Sequence, residues 1–140
     1  MAGTLRYLNE KEIMAVQQFA GRLMDSLRRR VLHITLFGSK ARGDFTSDSD
    51  LDLFVVLDTA DWNMKDQVRF MAADVSLEYD VLLNTHILSQ ERWEEMVRHQ
   101  ATLWREVRRD GVPLMPERRD EGNESSHVLR QPLPQVVDDA

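Results

Sequence analysis

Two seven-residue runs limit what this chain can become. Val31–Phe37 (VLHITLF) and Leu51–Leu57 (LDLFVVL) are rich in aliphatic and β-branched residues and nearly continuous in hydrophobicity. Such runs suit strands covered on both faces, as in the centre of a sheet flanked by helices. A third run, Tyr79–Thr85 (YDVLLNT), reads as another strand. Helical spacing separates and flanks them. Ile13, Val16, Phe19, Ala20, Leu23, Met24 and Leu27 form one stripe over about 9–30, with Asn9 as cap and Glu12 three residues on. Arg28–Arg30 follow, where cations suit a helix end. A short helix is expected after Gly38. A third helix spans about 59–75, with Trp62, Val68, Met71, Ala72 and Val75 inward. A fourth spans about 89–109, with Trp93, Met96, Val97, Leu103, Trp104 and Val107 inward and Gly111 as its stop. The expected fold is α/β (α+β): a small mixed central β-sheet with flanking helices.

At 140 residues there is room for one domain. Residues 1–116 form that domain. Residues 117–140 are polar, hold Pro132 and Pro134 and lack any period, and are expected to be a flexible tail. There are no cysteines, which excludes disulfides, a thiolate zinc site and a cysteine nucleophile. No apolar run is long enough to cross a bilayer, and the first residues lack a secretory signal, so a cytoplasmic location is expected. The net charge of -6 argues against a surface built for direct nucleic-acid binding, though not against one nucleotide in a local site.

Chemistry concentrates in Gly38–Asp52, GSKARGDFTSDSDLD, between the first two strands. Gly38 lets backbone approach a ligand closely. Ser39 offers a hydroxyl and a free N–H where a helix begins, and Lys40 and Arg42 add positive charge, so the turn is a candidate phosphate cradle. Arg42 could equally pair with Asp44 or Asp52. Asp44 and Asp48 read as turn and cap residues. Asp50 and Asp52, two apart in a strand, point to one face and offer hard oxygen donors suited to Mg²⁺. Asp80, within YDVLL, is a candidate third carboxylate if its strand lies beside the second. Glu78 is its rival. His33, His86, His99 and His127 have no metal-ligand spacing.

Gly38-Ser39, ten residues, then Asp50-Leu51-Asp52 resembles the signature of the DNA polymerase β-like nucleotidyltransferases. GSKARGD with DSDLDLFVVL is similar to their minimal nucleotidyltransferase group, and WREVRRDGVPL resembles the ending of its stand-alone members. The resemblance implies a polymerase β palm-like fold and transfer of a nucleotide, most readily AMP from ATP, with two Mg²⁺ ions. It implies that Ser39 holds terminal phosphates, Asp50 and Asp52 the metals, and Asp80 the third acid. Some members are antitoxins paired with a helical HEPN-type ribonuclease toxin, and some of these transfer AMP to a tyrosine of that toxin. The short length favours such a member. The alternative is an antitoxin that neutralises its partner by contact alone.

Overall fold

A computed structural model describes residues 5–44 and 49–114; the tail expected over 117–140, Asp48 and His127 lie outside the described residues. The element order is α1 (Glu10–Leu27), β1 (Val31–Phe37), α2 (Ser39–Arg42), β2 (Leu51–Leu57), α3 (Trp62–Tyr79), β3 (Leu83–Ser89), α4 (Gln90–Arg98), α5 (Thr102–Asp110) and β4 (Val112–Pro113), with single 3-10 turns at Leu5–Tyr7 and Arg28–Arg30. The sheet runs β3-β2-β1-β4. The β1 strand is antiparallel to β2 and β4, and β2 is parallel to β3. The sheet is mixed, as expected.

Each face has its own core. On one, α1 and α3 lay Val16, Phe19, Leu23, Val68 and Val75 against Ile34, Leu36, Leu53 and Val55. On the other, Trp93, Trp104 and Val107 cover Phe37, Phe54 and Val56. Consecutive β2 residues alternate between these cores, which is why its sequence is apolar without a gap. The α1 helix starts as its sequence predicts. The Asn9 side chain accepts from Glu12 N at 2.8 Å, and the Glu12 side chain accepts from Asn9 N at 2.9 Å, a complete capping box.

Four expectations need correction. The α3 helix continues four residues past Val75, and the third strand is 83–89 rather than 79–85. Trp62 is not inward but 77% exposed, in an outward-facing row with Phe70 (70%) and Leu77 (83%). The single helix expected over 89–109 is two, separated at His99–Ala101 by a left-handed Gln100 (φ 52°).

Candidate active site

The antiparallel register sets Phe37 opposite Asp52, so the end of β1 and the start of β2 meet. Gly38 follows with φ 85° and ψ −162°, a region open essentially to glycine alone. A Cβ there would stand 2.6 Å from Asp52 Oδ2, so the missing side chain is what lets the carboxylate rest on the turn. The two halves of the motif, far apart in sequence, touch here. Ser39 opens α2, and the amides of Ala41 and Arg42 both donate to Gly38 O at 3.1 Å. The helix ends at Gly43 (φ 97°), where a Cβ would strike the ring of Tyr7 at 2.6 Å.

The cations next to this turn are engaged. Lys40, expected to face a phosphate, is buried, with Nζ 2.7 Å from Glu12 Oε2. Glu12 thus holds the cap of α1 with one oxygen and the turn after β1, through Lys40, with the other. Arg42 takes the structural option: Nε meets Asp44 Oδ1 and Oδ2 at 3.1 Å, and Nη1 meets Asp110 Oδ2 at 3.0 Å. Asp110 is buried at the end of α5. Burial opposes its charge, but the guanidiniums of Arg109 and Arg42 prevail and hold its carboxyl below the usual range. Lys40 and Arg42 therefore brace the turn against α1 and α5.

Asp52 is part-buried on β2. Its Oδ1 accepts from Asn84 Nδ2 at 2.9 Å, and His86 Nε2 lies 3.5 Å away. Asp50 stands one residue before β2 and lines a cleft of about 400 Å³ with Asn9, Lys11, Ser49 and Asp80. Asp80 is not in a strand. It caps α3 in the left-handed conformation (φ 56°), its N–H donating to Ser76 O, and its side chain is 96% exposed with Lys11 Nζ at 3.6 Å. Aspartate tolerates that conformation better than most residues, which explains an acid at this position without any ligand. Glu78 lies on α3, paired with Arg22 at 2.6 Å. Asp50 and Asp80 do share a cleft, but among the described residues no three acids, imidazoles or thiols gather to cage a metal. The neighbours that β3 does supply to Asp52, Asn84 and His86, were missed. Their signal was parity: Asn84 and His86 are two apart and so share one face of a strand.

Residues 18–102 match the nucleotidyltransferase domain family. Two proteins of Methanocaldococcus jannaschii, both provisionally named protein adenylyltransferase, are similar. One is 34% identical over 90 residues, covering 64% of this chain and 84% of the relative. The other is 32% identical over 73 residues, covering 51% and 74%. Among solved structures, a provisionally named nucleotidyltransferase of Sulfolobus solfataricus aligns at 17% identity and TM-score 0.42 over 72% of this chain and 77% of that one. A toxin-antitoxin complex with AMP-PNP aligns at 20% identity and TM-score 0.47 over 81% and 80%. The family match spans more than half of the sequence and contains the Gly38–Ser39 turn, Asp50 and Asp52; the chain belongs to the nucleotidyltransferase domain family.

Proposed function

We propose that the protein transfers AMP from ATP to a hydroxyl of a partner protein, and that it is the antitoxin of a pair whose toxin is a HEPN-type ribonuclease in the cytoplasm. The observation that carries this reading is the packing of Asp52 Oδ2 on Gly38, which joins an acid to the turn that Ser39 opens. Support for a protein acceptor comes from the names of the two M. jannaschii relatives.

The residues present fit Mg²⁺. The donors are hard carboxylate oxygens, Asp52 is only part-buried, and this ion is commonly held by one or two carboxylates together with substrate phosphates. Asp50 and Asp52 would hold it; Asp80, exposed at the rim of the Asp50 cleft, is available to an acceptor or a second ion rather than preformed as a ligand. When bound, the ion supplies charge neutralisation on the triphosphate and acidifies the attacking hydroxyl. The chain itself orients the reactants. Ser39, at the head of the 38–42 turn, holds the terminal phosphates. The acceptor oxygen attacks the α-phosphorus, its bond forms as the bond to the β-phosphate bridging oxygen breaks, pyrophosphate leaves, and the hydroxyl proton passes to a nearby base or to water. Alignment supplies much of the rate.

The test is incubation of the full chain with ATP, Mg²⁺ and the protein encoded beside it, followed by intact-mass measurement of that protein. A gain of one or more AMP units is expected. A second reading, neutralisation by contact alone, is favoured by the outward apolar row Trp62, Phe70 and Leu77 on α3, surface of the kind that marks protein interaction. Full neutralisation by an Asp50→Asn/Asp52→Asn protein, with no mass gain for the wild type, would select it.

A further inference from the structure

The side chains that β3 turns toward Asp52 are not acidic. Asn84 is the register partner of Asp52, and its Nδ2 donates to Oδ1 at 2.9 Å. A carboxylate can only accept, so the amide must present its NH₂ group there. His86, two residues on along the same face, packs edge-on to Phe37 with centroids 5.2 Å apart. Its Nε2 stands at the outer limit of hydrogen bonding, 3.5 Å from Asp52 Oδ1 and 3.4 Å from Asn84 Nδ2. Asn84 and His86 thus converge on one oxygen of Asp52. The other, Oδ2, rests on the Gly38 backbone. The carboxylate is gripped from two sides, by a donor on β3 and by the turn after β1.

We propose that Asn84 is a positioning residue for Asp52, committing Oδ1 to the protein so that Oδ2 stays turned toward the Gly38–Ser39 turn and its ligand. This rests on the reading of Asp52 as an ion ligand given above. An amide can do what an acid at this place could not. It donates a hydrogen bond to the carboxylate and adds no second negative charge beside it before a cation arrives. Groups that orient a ligand in this way commonly change metal affinity by tenfold or more when removed.

The test uses the full chain and manganese(II), a spectroscopic stand-in for Mg²⁺, with and without ATP. Free manganese is followed by electron paramagnetic resonance and stability by urea unfolding. Asn84→Ala is expected to weaken manganese binding about tenfold while leaving the unfolding midpoint within error, because the Asn84 side chain is exposed on an edge strand. Asn84→Thr, better suited to a strand but too short to reach Oδ1, should behave alike. Asp52→Asn is the control. If it abolishes manganese binding while both Asn84 variants bind as the wild type does, the positioning role is refuted and the site assignment stands. If Asp52→Asn binds normally, the site assignment fails with it. A fall in stability matching the fall in affinity would also overturn the proposal, since a merely structural role predicts that outcome.

Discussion

Replacing Gly38 with alanine probes the junction on which the functional reading depends. Two costs are separable. The first belongs to the backbone: φ 85° with ψ −162° is a conformation that a residue with a Cβ adopts at a cost of about 1–3 kcal/mol. The second belongs to the contact: the new methyl would stand 2.6 Å from Asp52 Oδ2 and 3.4 Å from its Cβ and Cγ. Asp52 can escape only by leaving its rotamer, at about 0.5–1.5 kcal/mol, and by stretching its bond from Asn84. The expected loss for Gly38→Ala is therefore about 1.5–4.5 kcal/mol. Urea unfolding followed by tryptophan fluorescence measures it, Trp93 being buried against Phe54 at 4.7 Å between centroids. A double-mutant cycle with Asp52→Ala isolates the contact. Without the carboxylate, the alanine should cost about 1 kcal/mol less. A loss below about 0.5 kcal/mol for the single variant would refute the backbone argument. Zero coupling in the cycle would refute the packing of Asp52 on the turn.

Other outcomes follow from the same contacts. Asp50→Asn/Asp52→Asn should abolish binding of manganese-ATP in calorimetric titration with no loss of fold, since it removes both acids proposed to hold the ion. Lys40→Met should cost about 3–5 kcal/mol in urea unfolding, because it leaves the carboxylate of Glu12 buried without its cation, whereas Glu12→Gln/Lys40→Met should cost clearly less. His33 is held neutral by burial, its pKa lowered from 6.5 to about 4. The folded state thus binds fewer protons than the unfolded one between these values. Stability is full above about pH 6.5 and falls as the pH drops toward 4, by up to about 3 kcal/mol, and His33→Gln should remove that part of the slope in unfolding measured across the range.

The elements that sequence located well are those whose burial is complete. The β1 and β2 strands match their apolar runs to the residue because both faces are covered and because an arginine run and a polar segment bound them. The capping box was legible for a local reason: its partners are three residues apart. The β3 strand was displaced because it is an edge strand in which only Leu83 is buried, so its true residues look polar, while the Val81-Leu82-Leu83 run that resembles a strand is mostly the exit from α3. That displacement is what carried Asp80 into a strand; Asn84 lies in both the expected and the observed strand, and its role was hidden because an amide is not an acid. The gap between α4 and α5 was invisible to periodicity. Trp93 and Trp104 are eleven residues apart, nearly three whole turns, so one unbroken helix would place them in phase as well. No glycine or proline marks the break, since Gln100 itself takes the left-handed angle. The burial of Lys40 depended on a partner 28 residues away, beyond the reach of any local pattern.

The double duty of Glu12 has a kinetic consequence. One oxygen closes a contact three residues long and the other a contact 28 residues long. The first can form as soon as α1 does. The second must wait until α1 has docked on the sheet, because a charged pair of this kind is worthwhile only once both groups have left water together. The turn that would cradle phosphate therefore has no independent existence as a folded piece. The amides of Ala41 and Arg42 should exchange with solvent deuterium no faster than the docked face of α1, and the site should open only when that helix lifts.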